Sequence, residues 1–141
     1  MFGRSGKIAL LEKVPLLAGL SRRQLQEIAR LADEVDVPAG KRLASVGDVG
    51  SELFVIIEGR ASARVNRGRE VILGPGEFFG EMSLIDGGPR SATVDAATNM
   101  RLLVVARREF WELLRVAPPL ALTIMKTLSR RVRTAEASHS T

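Results

Sequence analysis

Residues 53–73 read Leu53-Phe54-Val55-Ile56-Ile57-Glu58-Gly59-Arg60-Ala61-Ser62-Ala63-Arg64-Val65-Asn66-Arg67-Gly68-Arg69-Glu70-Val71-Ile72-Leu73. The first five residues are a continuous apolar run with a β-branched bias, the pattern of a strand buried on both faces. Glu58-Gly59 ends that run. Ala61, Ala63 and Val65 then alternate with Ser62 and Arg64, which is the pattern of a strand with one wet face. Asn66-Arg67-Gly68-Arg69 carries turn chemistry and Val71-Ile72-Leu73 returns. The stretch therefore reads as a hairpin whose loop length leaves the turn type open.

Upstream, Val35 and Val37 alternate with Asp36, Pro38-Ala39-Gly40 breaks the chain, and Lys41 to Ala44 resumes in extended form. Before that, Ser21 is an N-cap candidate with Gln24 three residues on, and Leu25, Ile28, Ala29 and Ala32 recur at helical spacing. Downstream, Arg90 to Ala96 and Met100 to Ala106 read as strands. Arg108 to Val116 and Pro119 to Ala135 switch to helical period, the second with Leu120, Ile124, Leu128 and Val132 at every fourth position. Gly40, Gly47, Gly59, Gly68, Gly74 and Gly76 fall between short extended runs. That spacing suits a closed or two-sheet antiparallel structure, of which a jelly roll is the economical form.

The chain has 141 residues, room for one domain. Hydrophobic residues make up 45% and charged residues 26%, which predicts a folded globular chain rather than a disordered one. There is no cysteine, so disulfides, thiolate metal sites and cysteine nucleophiles are excluded and a cytoplasmic location is expected. The only histidine, His139, lies near the end of the chain, which leaves neither the ligands of a metal-dependent barrel enzyme nor the base of a Ser/His/Asp triad. No apolar run approaches the roughly 20 residues that cross a bilayer. The net charge of +5 raises nucleic acid as a partner, but aromatic residues are 4% of the chain and none interleaves with the basic pairs to stack bases.

The chemistry concentrates in Phe79-Gly80-Glu81-Met82-Ser83-Leu84-Ile85-Asp86-Gly87-Gly88-Pro89-Arg90-Ser91-Ala92-Thr93-Val94. Met82 to Ile85 can form one helical turn whose leading N–H groups have no internal partner. Beyond the Gly87-Gly88-Pro89 corner, Arg90 opens a strand, and its guanidinium fork suits two phosphate oxygens at once. The N–H groups of Ser83 and Ser91 can supply further donors. A carboxylate beside an anion would be repelled by it, so Glu81 makes better sense as the acceptor for a neutral sugar hydroxyl. Phosphate plus sugar implies a nucleotide. The P-loop lysine and the dinucleotide glycine fingerprint are both missing, and one strong cation matches one phosphate of low charge. Val65, Val71 and Leu73 of the hairpin would wall the base.

This segment resembles the phosphate-binding cassette of the cyclic nucleotide-binding domain family, which includes catabolite activator proteins, kinase regulatory subunits and gated channels. Gly47-Asp48 followed by Phe54-Val55-Ile56-Ile57-Glu58-Gly59 resembles the family's earlier glycine-marked strands, and the similarity runs from about Leu16 to the end of the last helix. The resemblance implies an α+β, mainly β fold: an eight-stranded antiparallel jelly roll flanked by N-terminal and C-terminal helices. It implies that Arg90 binds the cyclic phosphate, that Glu81 binds the ribose 2′-hydroxyl, and that Gly80, Met82, Ser83, Ser91 and Ala92 complete the cradle. Arg130 and Arg131 on the last helix are candidates to reach the base. In the family that helix both lids the ligand and pairs two subunits.

The expectation is a single domain, 1–141, with its core at about 16–135 and flexible segments at 1–15 and 136–141. Its function is that of a non-enzymatic receptor for a cyclic nucleotide, cAMP in preference to cGMP, with no metal. Binding would move the C-terminal helices. Because the chain ends after the last helix, the signal is expected to pass in trans to an effector protein, with a homodimer through that helix as a further expectation and neither membrane nor DNA as partner. The alternatives are a ligand-free scaffold acting through its basic helices, and a basic nucleic-acid-binding protein.

Overall fold

The computed structural model describes residues 4–14, 17–65, 69–80, 88, 90 and 92–139. Helix α1 (Arg4–Glu12) precedes α2 (Arg22–Leu31). Ser21 starts α2 as the sequence predicts: its Oγ accepts the Gln24 N–H at 3.1 Å, and Gln24 Oε1 accepts the Ser21 N–H at 2.9 Å. This reciprocal capping box satisfies two donors that the helix itself leaves without partners. Leu25, Ile28 and Ala29 form the buried stripe of α2.

Among the described residues eight strands follow: β1 (Asp33–Val37), β2 (Arg42–Ala44), β3 (Glu52–Glu58), β4 (Ala61–Val65), β5 (Glu70–Leu73), β6 (Phe78–Phe79), β7 (Ala92–Ala96) and β8 (Met100–Ala106). They make two four-stranded antiparallel sheets, in the orders β1-β8-β3-β6 and β2-β7-β4-β5. The expected hairpin is present, in register from Ala61↔Leu73 to Arg64↔Glu70. Its turn, 66–68, lies outside the described residues. Two helices close the chain, α3 (Arg107–Val116) and α4 (Pro118–His139).

The apolar run at 53–56 is continuous because β3 serves two cores. Leu53 and Val55 pack with Leu11, Ile28, Leu103 and Phe110 between the first sheet and the helices. Phe54 and Ile56 point the other way, into the roll, with Ala61, Phe79, Val94 and Leu102. A strand covered on both faces has no wet side on which polar residues could alternate.

Ile8 and Leu11 of α1 are buried in the helical cluster. At the other end, the main chain is helical through His139. Of the stripe on α4, Leu120 and Ile124 are buried and Leu128 packs against the core, but Val132 is 56% exposed. Every-fourth spacing drifts by about 40° per step on a 3.6-residue helix, so by Val132 the side chain has rotated about 120° from Leu120.

Candidate functional site

Arg90 is only 8% exposed, an unusual place for a guanidinium. One stretch distant in sequence, residues 47–54, holds it. Its main chain pairs with the loop before β3, where Gly47 N–H donates to the Arg90 carbonyl at 2.9 Å and Arg90 N–H donates to the Asp48 carbonyl at 2.6 Å. Its Nη2 donates to the Glu52 carbonyl at 3.1 Å. Its Cζ lies 5.7 Å from the centroid of the Phe54 ring, within cation–π range.

Two glycines make room for it. A Cβ at Gly50 would overlap Arg90 Nε and Cζ, and a Cβ at Gly80 would overlap Arg90 Nη1 and the Glu52 carbonyl. Gly80 also has φ +96, a backbone conformation that L side chains rarely adopt. Beside the guanidinium lies a cleft of about 220 Å³, lined by Ser45, Asp48, Gly50 and Glu52 among others.

Behind this arginine stands an aromatic platform. Phe79 stacks on Phe54 with ring centroids 4.8 Å apart and an interplanar angle of 16°. The two residues face each other in the β3–β6 register. On the second sheet, cross-strand pairing puts Val71 opposite Ala63 and Leu73 opposite Ala61, which places all four on the inward face. Leu73 is buried, whereas Val71 is 42% exposed although it shares that face. Solvent therefore reaches the inner wall at the Val71 end.

Of the residues expected in the site, the structure brings Gly80 against Arg90 and puts Val71 and Leu73 on the inner wall. Ala92 packs at the margin of the same core and pairs with Val65 across β7 and β4; only the main chain of Val65 is described. Glu81, Met82, Ser83 and Ser91 lie outside the described residues, as does the helical turn expected at 82–85. Arg130 is exposed, its Nη2 3.3 Å from Thr127 Oγ1. Arg131 reaches β6: its Nη2 donates to the Phe78 carbonyl at 2.8 Å, and its Cζ lies 4.8 Å from the centroid of the Phe78 ring.

Sequence reasoning missed Gly50, Glu52 and Phe54 as neighbours of Arg90. Gly50 carried a signal, a glycine just before a strand without an obvious turn; Phe54 carried none, since it looks like any other residue of an apolar run. Much of the basic surplus is paired with acids. Arg42 and Arg64 both hold Asp95, at 2.8 and 2.7 Å, and Arg101 meets Glu34, Asp36 and Glu58. The Arg42 hydrogen bond, aided by that of Arg64, holds the Asp95 carboxyl below its ordinary range. No group of three or more His, Asp or Glu that could hold a metal occurs among the described residues, and none of their helices is long and apolar enough to cross a membrane.

A buried arginine set between two glycines and over a phenylalanine ring is the frame of this site. The sequence profile of the cyclic nucleotide-binding domain matches residues 34–116, and the chain belongs to that family. A cyclic nucleotide-gated potassium channel of Rhizobium etli is 43% identical over 122 residues, covering 86% of this chain and 34% of the channel. The cAMP-dependent protein kinase regulatory subunit of Schizosaccharomyces pombe is 37% identical over 107 residues, 75% of this chain and 26% of the subunit. Among solved structures, the catabolite activator protein of Thermus thermophilus superposes with a TM-score of 0.80 at 34% identity, covering 89% of this chain and 62% of that one. The chain thus spans about a third of the length of the channel it matches.

Proposed function

We propose that this domain is a non-enzymatic receptor for a cyclic purine monophosphate, cAMP in preference to cGMP, and that occupancy is converted into movement of α3 and α4. The observation that carries this reading is Arg90: a guanidinium held at 8% exposure between Gly50 and Gly80 at the mouth of an apolar wall. One cation suits one singly charged phosphodiester. Glu81 would accept the ribose hydroxyl, the main chain around Gly80, Met82, Ser83, Ser91 and Ala92 would complete the cradle, and Val65, Val71 and Leu73 would face the base. The preference for adenine is supported by the kinase regulatory relative, which is named for cAMP.

A ligand moves helices only to the extent that it binds one arrangement better than another. The effector would be a partner protein that reads the seating of α4. Leu122, Met125 and Val132 are exposed along that helix and suit pairing with a second copy. A cytoplasmic setting agrees with a chain that has no cysteine.

Isothermal calorimetry on the purified chain tests the reading. It should show micromolar or tighter binding of cAMP, weaker binding of cGMP, and loss of both in Arg90→Ala, with Arg90→Lys retaining a fraction because it keeps the charge without the fork. Absence of heat with either nucleotide overturns it.

A further inference from the structure

Strand β6 is two residues long and lies at an edge of its sheet. Adjacent side chains on a strand face opposite ways, so the pair Phe78–Phe79 spans the sheet. Phe78 enters the helical cluster and Phe79 enters the roll. On the helical side Arg131, 53 positions away, donates to the Phe78 carbonyl at 2.8 Å and lays its guanidinium near the Phe78 ring. On the inner side Phe79 stacks on Phe54, the ring beneath Arg90, and the next residue, Gly80, packs against Arg90 itself.

We infer that Arg131 is a positioning residue for the site: its grip on Phe78 sets the place of β6, and β6 in turn sets the pose of Arg90 through Phe79, Phe54 and Gly80. The physical reason lies in how short the paired edge strand is. Its register with β3 joins Phe54↔Phe79 and Val55↔Phe78, and the chain just before it is tied to the same strand where Ile56 N–H donates to the Glu77 carbonyl and Gly76 N–H donates to the Ile56 carbonyl. Beyond these ladder contacts, the bond from Arg131 is the one that comes from α4 among the described residues. A charge-assisted bond to an edge carbonyl is stronger than a ladder bond and is made from α4, so it carries the seating of that helix to the strand. Phe78 cannot move without Phe79, because one rigid peptide unit joins them. The seating of α4 and the pose of Arg90 therefore form one coupled equilibrium, and whatever biases one must bias the other equally. This differs from the expectation that Arg131 reaches the base; here it acts from the far side of the sheet.

The effect on affinity rests on the reading of Arg90 as the phosphate ligand, but the coupling does not, and the test separates them. In NMR of the full chain without ligand, the Arg90 Nε–H resonance, assigned by its loss in Arg90→Lys, should carry a ring-current shift from Phe54. Arg131→Ala should move it towards the free-arginine position and speed amide exchange at Phe79 and Gly80. Arg131→Lys should restore part of both, because an ammonium can donate to the same carbonyl; Lys126→Ala, an exposed change on the same helix, should alter neither. In calorimetry with cAMP, Arg131→Ala should weaken binding by roughly 10-fold. If Arg131→Ala lowers stability while the Arg90 resonance and the exchange at 79 and 80 stay put, Arg131 is a plain packing contact and the inference is overturned. If Arg131→Ala does not fold, Arg131→Gln and Arg131→Lys supply the same comparison. If the resonance moves as stated but the wild-type chain binds neither nucleotide, the coupling stands and the receptor reading falls.

Discussion

Arg90 and Phe54 meet with the guanidinium carbon 5.7 Å from the ring centroid, although they lie 36 positions apart and Phe54 sits in the middle of β3. The ring does two things for the arginine. It presents a weakly negative face to a charge buried away from water, and it is itself held by stacking on Phe79. Phe54→Leu keeps the apolar volume roughly but loses the π face. The expected cost to cAMP affinity is about 0.5–2 kcal/mol, read by calorimetry, and an unchanged affinity would remove the platform from the site.

Gly80→Ala should be severe. The new Cβ would overlap the Arg90 guanidinium and the Glu52 carbonyl, at a positive φ that already disfavours alanine. Strain of this kind costs on the order of 1–3 kcal/mol, and thermal denaturation should show it. Gly50→Ala meets the same guanidinium without the positive φ. It should therefore affect ligand affinity more than stability, and the two variants together separate steric displacement of Arg90 from backbone strain.

Ser21→Ala removes the side-chain half of the capping box on α2. The expected loss is about 1 kcal/mol, or a few degrees in melting temperature for a domain of this size. Ligand affinity, measured alongside, should not change, because α2 lies on the helical side of the first sheet.

Asp95 gives the pH dependence. Its folded-state carboxyl titrates below its ordinary range, chiefly through the Arg42 hydrogen bond. The folded form thus binds that proton more weakly than the unfolded chain. The resulting stabilisation is complete above the ordinary carboxylate range and disappears as pH falls through the lowered folded value. Melting temperatures recorded from pH 7 down to about pH 3 should fall less steeply in Asp95→Asn than in wild type over the acid limb.

The exposed face of α4 predicts self-association. Sedimentation velocity should find a dimer that Met125→Glu converts to monomer, since a carboxylate would then be buried opposite its own copy. A wild-type chain that stays monomeric at high concentration would leave that face for another partner.

Amino-acid order alone sufficed for the extended runs at about 35–37, 41–44, 53–57, 61–65, 71–73, 90–96 and 100–106, for the helix capped by Ser21, and for the helices at about 108–116 and 119–135. Alternation, apolar runs and caps are written within a few residues of each other, so local physics suffices to read them. The presence of Arg90 beside a glycine-rich corner was legible for the same reason. Tertiary structure decided what surrounds that arginine. Gly50, Glu52 and Phe54 lie roughly forty residues before it, and Arg131 touches Phe78 across 53 positions. The two-residue strand β6 has too short a pattern to announce itself, and α1 enters the core through Ile8 and Leu11 because α2 and α3 offer it an apolar surface. Contacts of this kind arise when separate apolar faces are folded onto one another, and no local period in the chain records which face will meet which.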